Sequence, residues 1–355
     1  MNREKYFSKT DTAIFKGIAI MLIVLHNYLH WQTGFGIENE ADFSAKNIQV
    51  FLNNLYPIRW TQTFTAIFAF LGHYGVQLFI FFSAYGLTVQ MINKQNPFKY
   101  WDYLFKRLKK LYFLLFFGII LYQILYTLHF GEIYSIKKTV IKTILLGTSL
   151  SNFSHSTLYK MFVGPFWFFG LMVQLYIIFP FLYNYIKKIS IYLFYVVIFA
   201  LIYLLYYLDL KTDFSVFGTV FGHLPEVVLG IYFALNRITK PSSILFFLSI
   251  IIFVLSQYYW FIFPFSFVAI TIILLYILYF IKSYLNPFWT NLLLYIGKIS
   301  MILFITNGFF RAFSLFSIDD MTLRGERIFL YLILLFLVCH FINKLYIYLY
   351  KKLKI

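Results

Sequence analysis

Nine residues, each apolar or glycine, separate Lys16 from His26 in the run Phe15-Lys16-Gly17-Ile18-Ala19-Ile20-Met21-Leu22-Ile23-Val24-Leu25-His26-Asn27-Tyr28. A helix rises about 1.5 Å per residue, so His26 is expected about 15 Å beyond Lys16, near the middle of a hydrocarbon core about 30 Å thick. An ionisable side chain at that depth costs roughly 2.5 kcal/mol or more, which favours a functional reason for keeping it. The competing account is a histidine hydrogen-bonded to a neighbouring helix.

A second group is Phe221-Gly222-His223-Leu224-Pro225-Glu226-Val227-Val228-Leu229-Gly230. Glu226 is the one acid placed well inside an apolar segment. Entering near residue 215, it lies about 16 Å deep, close to the depth of His26. A carboxylate and an imidazole at matching depth predict an orienter–base pair, with Glu226 fixing the His26 tautomer; a structural glutamate bonded elsewhere is the alternative. Pro225 is expected to free a carbonyl and kink the helix.

A third stretch, Gly72-His73-Tyr74-Gly75 through Ser83-Ala84-Tyr85-Gly86, sets small residues where a helix or a ligand can approach closely. Helix packing alone accounts for it equally well. Four cations in Lys106-Arg107-Leu108-Lys109-Lys110 suit phosphate, with arginine able to bind bidentately. Membrane topology is the simpler account of that cluster. No P-loop, CxxC, HExxH or paired-carboxylate metal motif occurs, so a nucleotide fold and a resident metal are not expected.

Apolar segments must position these residues. Hydrophobic residues form 61% of the 355-residue chain and charged residues only 12%, about half the charge of a soluble protein. The net charge of +17 is spread over the ends of apolar segments, which points to lipid headgroups and topology instead of nucleic acid. The single cysteine, Cys339, excludes a disulfide framework. The N-terminus lacks a cleavage-site pattern, so the first segment is expected to be a retained helix.

Ten segments have membrane-crossing length: about 14–31, 66–92, 104–129, 161–186, 190–208, 215–236, 242–260, 262–283, 293–316 and 326–350. A shorter stretch, 139–151, is expected to lie at the interface or to re-enter. With the N-terminus inside, 20 of the 30 basic residues fall on the cytoplasmic side, among them Arg3, Lys5, Lys94, Arg107 and Lys354. Most acids, including Asp319 and Asp320, then face outward. The fold class that follows is all-α: a polytopic transmembrane helical bundle of about ten spans, one domain over residues 1–355, with both termini cytoplasmic. The longest hydrophilic stretch, 32–64, faces outward as an acceptor-facing loop or a plain connection.

Taken together, these stretches resemble the acyltransferase-3 family of bacterial integral membrane acyltransferases. The resemblance runs over nearly the whole chain and rests on six motifs in family order. They are Lys16-Gly17 to His26, Gly72 to Gly86, Arg107 with Lys110, and Trp167-Phe168-Phe169 through Gln174 and Tyr176 to Pro180. His223-Leu224-Pro225-Glu226 to Gly230 and Gly297-Lys298-Ile299-Ser300 with Thr306-Asn307-Gly308 complete the set. The chain departs from the pattern in its shorter lysine-to-histidine spacing, in Ala84 after Ser83, in Met172 and Val173 where one subgroup has acids, and in Asn307 where a late histidine is usual.

The resemblance implies a membrane-bound O-acyltransferase, most often an acetyltransferase of polysaccharide, in the bacterial inner membrane. Acyl-CoA, chiefly acetyl-CoA, is the implied donor, and a hydroxyl of an extracytoplasmic or cell-surface glycan the acceptor. His26 and Glu226 would then be catalytic. Lys16, Arg107, Lys110 and Ser83 would meet the donor, and Asn27, His73, Trp167, Gln174, Tyr176, His223 and Asn307 would line the path. Transfer of succinyl or another acyl group, and transport of a glycan without covalent chemistry, remain the alternatives.

Overall fold

In hydrocarbon each backbone amide must bond within its own segment, so runs this apolar fold as helices. A computed structural model of the chain describes residues 6–30, 35, 38–40, 42–56, 58–93, 97–158, 161–162, 164–311 and 324–353. Arg3, Lys5, Lys94, Asp319, Asp320 and Lys354 of the expected charge map lie outside the described residues. The elements in order are α1 (Lys9–Leu29), α2 (Ala45–Leu55), α3 (Trp60–Leu71), a 3-10 turn (Gly72–Tyr74), α4 (Gly75–Ile92), α5 (Tyr100–Phe130), α6 (Ile136–Gly147) and α7 (His155–Leu158). There follow α8 (Trp167–Ile186), α9 (Ile191–Asp209), α10 (Leu224–Leu235), α11 (Ser243–Ser256), α12 (Ser266–Tyr284), α13 (Pro287–Lys298), α14 (Ser300–Phe310) and α15 (Arg324–Lys352). Among the described residues there is no β-strand, only an isolated bridge between Ser154 and Phe214.

Helices occur in all ten predicted segments, but fewer than ten can cross alone. Among the described residues, seven stretches are long and apolar enough, with α3 and α4 counted as one, and the pair α13–α14, bent by 75° at Ile299, makes an eighth. α10 has 12 residues and α11 has 14, which is only about 18 and 21 Å of helix. The cause at α10 is local. Residues 210–223 form turns, and Pro225, expected to kink a helix, stands in its first turn, where its missing N–H costs nothing. The 139–151 stretch yields α6, which is too short to span, as expected.

α1 begins with a capping box: the Ser8 hydroxyl accepts from Asp11 N–H and Asp11 accepts from Ser8 N–H. Asp11 also pairs with Lys282 of α12 at 2.6 Å. Further along, α1 is held by backbone contact on two sides. A methyl added at Gly297 of α13 would overlap the Ala13 carbonyl, and one at Gly17 would overlap the Leu293 carbonyl. At the other end, a Cβ on Gly72 would lie 2.6 Å from Leu22 O and 2.8 Å from His26 Cβ, and one on Gly75 would overlap Ala19 O. Glycine at these positions therefore sets the spacing of α1 to α13 and to the 3-10 turn. Gly230 does the same for α10, whose Cβ would meet Phe81 O of α4 at 2.5 Å. Ala84 lies against that glycine, whereas Gly86 faces open space. α9 and α15 are mostly exposed on the outside of the bundle, as lipid-facing helices are.

Beside this bundle, residues 150–157 are clasped to residues 209–219. His155 N–H donates to Asp213 O at 2.9 Å and Ser215 N–H to Phe153 O at 3.1 Å. The Asn152 side-chain amide donates to Trp167 O at 2.9 Å and Gly218 O at 2.7 Å. The Ser154 hydroxyl and the Ser156 hydroxyl and N–H hold the Asp213 carboxyl down at about 2. The hydrogen bond to Asp209 raises the His155 imidazole above its usual value. A depressed carboxyl stabilises above its unfolded value of 3.8 and fails as pH falls towards about 2. A raised histidine stabilises fully below 6.5 and fails as pH rises through its folded value. The clasp is thus expected to be firmest between these two ordinary values. Amide exchange over residues 153–157, corrected for its intrinsic rate, should be slowest in that window and accelerate on the alkaline side. His155→Ala should remove the alkaline acceleration.

Candidate functional site

α1 carries His26 into the bundle and stops one turn later, with His30 as its C-cap. Beside that end lies a cavity of about 480 Å³, the size of a small-ligand site. Five of the chain's seven histidines line it: His26, His30, His73, His129 and His223. They come from α1, the 3-10 turn, α5 and the turns before α10, so the concentration of imidazole is a product of the fold.

His26 is 5% exposed, and its Nδ1 lies 2.8 Å from Ala69 O. Ala69 sits in the last turn of α3, where carbonyls lack an intrahelical donor. A carbonyl only accepts, so Nδ1 carries the hydrogen and the neutral ring keeps its lone pair on Nε2. Gly72, packed on His26, sets this distance. Gly72→Ala is expected to overpack the seam, costing about 1–3 kcal/mol. A lower thermal midpoint of the purified protein should accompany reduced activity.

The expected pairing of His26 with Glu226 does not form. Glu226 Oε1 meets His223 Nδ1 at 3.1 Å, and His223 Nε2–H donates to Phe217 O at 3.0 Å. The reason lies in the start of α10: His223 is its N-cap and Glu226 its third residue, which a capping geometry brings together. Matching depth along two helices fixed one coordinate and left rotation about the axis open. Because Nε2 already donates to a carbonyl, a hydrogen bond at Nδ1 requires one proton shared by the pair. Glu226 is fully buried behind the cavity wall, and its Oε2 has no hydrogen-bond partner among the described residues. His223 itself lines the cavity, with Trp167 stacked beside it at 6.1 Å and 24°.

Asn27 adjoins His26 in the lining and is fixed from behind. Its amide donates to Asn307 Oδ1 at 2.8 Å, and Arg311 Nη1 donates to its carbonyl at 2.5 Å. Asn307 in turn donates to Leu303 O and Phe304 O at 2.8 Å, and accepts from the Tyr331 hydroxyl at 3.2 Å. Asn307 is fully buried and stands outside the cavity lining. Its amide gives α14 a polar hold on α1 at the position where a late histidine was the usual residue.

Of the residues singled out in the sequence, His26, Asn27, His73, Trp167 and His223 meet at the cavity. Gln174 does not line it; its Oε1 accepts from Val220 N–H at 2.8 Å and ties α8 to the turns before α10. Lys16 and Ser83 are half-buried on α1 and α4, away from the lining. Arg107 and Lys110 lie near the start of α5. Arg107 donates to Gln90 and sits 6.0 Å from the centre of the Tyr103 ring, and Tyr176 belongs to this second group through its proximity to Arg107. The sequence reading missed His30, Glu38, Glu40, His129 and Arg311, all of which line the cavity. His30 was findable, since the i, i+4 spacing puts it on the His26 face. Burial, with Glu38 alongside, pushes Glu40 up to about 8, so this carboxyl is largely neutral at pH 7.

A family model described as an acyltransferase domain matches residues 13–344, nearly the whole chain. No curated protein and no solved structure matches it.

Proposed function

This chain belongs to the acyltransferase-3 family, and from that premise we propose that it moves an acyl group, most often acetyl, from acyl-CoA to a hydroxyl of an extracytoplasmic glycan. The observation that carries this reading is the tautomer of His26: a neutral ring with its free Nε2 lone pair, beside a cavity lined by further histidines. In the proposed step, Nε2 takes the acceptor hydroxyl proton as the oxygen attacks the thioester carbonyl carbon. The new C–O bond forms, the C–S bond breaks, and the imidazolium returns the proton to the departing thiolate. His223, sharing a proton with Glu226, stands on the same cavity, and its Nε2–H, on leaving Phe217 O, can donate to the oxygen that gains charge in the transition state.

The donor enters from the other group. Lys16, Arg107 and Lys110 fall on the cytoplasmic side under the positive-inside rule, where the phosphates of acyl-CoA are available. Arg107→Glu is expected to raise KM for acetyl-CoA by roughly tenfold or more, since a charge-assisted phosphate contact is worth about 1.5–3 kcal/mol. kcat should change far less; an unchanged KM would reduce Arg107 to a topological charge. The protein is a multi-pass membrane protein, and we place it in the bacterial inner membrane.

Mass analysis of surface glycan from cells with and without the gene tests the function. Loss of an acetyl substituent is expected. Loss of a succinyl substituent would change the donor, and unchanged covalent structure with altered glycan export would replace transfer by transport.

A further inference from the structure

We propose that the cavity is also a binding site for a transition-metal dication of the zinc class, held by His26, His30 and Glu38, and that the bound ion switches acyl transfer off. One ligand atom from each of these residues lies within 4.8 Å of the other two. His26 and His30 stand at i and i+4 on one helix, the spacing by which a helix offers two imidazoles to one ion. Glu38 comes from the segment beyond the end of α1.

Two of the three ligand residues, His30 and Glu38, are already in contact. His30 Nδ1 and Glu38 Oε2 pair at 2.6 Å, and a bound ion would replace that pairing with two bonds to itself. A second observation is independent of this trio. His73 is 2% exposed, and its ring centre is 5.3 Å from that of His26, so a third imidazole flanks the trio. Zinc takes imidazole nitrogen and carboxylate oxygen at about 2.0–2.2 Å in tetrahedral array. Donors already gathered this closely need only small side-chain movements to reach that geometry. The chain has no contiguous metal motif because the ligands come from separate segments.

The switch follows from the ligand set. An ion bound to His26 Nε2 occupies the lone pair that would take the acceptor proton. This consequence rests on the proposed transfer reaction, whereas the binding itself does not. The test uses full-length protein in lipid nanodiscs, stripped with chelator and titrated with Zn²⁺ by calorimetry, with Mg²⁺ as control. Wild type should take up one equivalent of Zn²⁺ and no Mg²⁺. His30→Ala and Glu38→Gln should each weaken Zn²⁺ binding by roughly tenfold or more, at unchanged thermal midpoint. No uptake by wild type, or unchanged affinity in both variants, would overturn the site.

In the transfer assay, Zn²⁺ should inhibit wild type reversibly, with chelator restoring the rate. Whatever its own transfer rate, Glu38→Gln should need roughly tenfold more Zn²⁺ for the same fractional inhibition. Binding that leaves transfer unaffected would overturn the switch. A wild-type protein that binds Zn²⁺ but transfers nothing would fail the function and leave the site standing.

Discussion

His26→Asn is expected to fold and melt like wild type while losing acyl transfer by roughly 10²–10⁴-fold, the usual contribution of a general base. The asparagine amide can stand where Nδ1–H stands and donate to Ala69 O, the hydrogen bond that His26 makes at 2.8 Å. It brings no basic lone pair in place of Nε2. His26→Ala should lose the same activity and in addition about 1 kcal/mol of stability, since Ala69 O loses its donor. The pair of variants separates chemistry from support. If His26 were only a structural histidine, Asn would rescue transfer and Ala would not. Transfer by the Asn variant at near wild-type rate, measured with labelled acetyl-CoA and membrane glycan, would end the catalytic assignment.

The second large effect is expected at Glu226. Glu226→Ala leaves His223 Nδ1 facing a hole in a buried site, and breaking such a pair costs about 3–5 kcal/mol. Poor yield and a markedly lower thermal midpoint should follow. Glu226→Gln keeps the volume, and its amide can donate to Nδ1, so the fold should survive. What it removes is the carboxylate that supports a proton on His223. A hydrogen bond to a charged group is worth about 1.5–3 kcal/mol, which corresponds to a rate loss of roughly 10- to 150-fold. The kcat of the Gln variant should carry that loss with KM nearly unchanged. A Gln variant as active as wild type would make the His223–Glu226 pair a support for α10 and nothing more.

The helical framework was legible because hydropathy reports the one requirement lipid imposes on every residue in turn. Segment 190–208 became α9 with nearly the predicted bounds. Residues 215–236 did not behave as one span, since Gly218, Gly222 and Pro225 favour turns and a helix start that an apolar count cannot register. The motif residues were found, but their spatial grouping was not. Gln174 is expected to line the substrate path and Glu226 to orient His26; they bond Val220 N–H and His223 instead. His73 was read beside Ser83 on one helix, although the 3-10 turn at Gly72–Tyr74 separates it from α4 and delivers it to the His26 ring. Glu38 and Glu40 lay in a hydrophilic stretch with no pattern of its own. Their role depends on where α1 ends.

The backbone seams along α1 bear on motion during turnover. A helix clamped carbonyl-to-glycine at Ala13–Gly17 and again at Ala19–His26 can neither pivot nor slide without breaking several close contacts at once. α1 is therefore the stator of the cycle, and the proposed base stays still while substrates come and go. Breathing that admits a donor or releases a product falls to helices without such clamps. The long, largely lipid-exposed α5 forms one wall of the cavity through Tyr122, Leu125 and His129, and it carries Arg107 near its other end. Microsecond-to-millisecond exchange, the range of collective helix motion, should appear in α5 and be absent from α1.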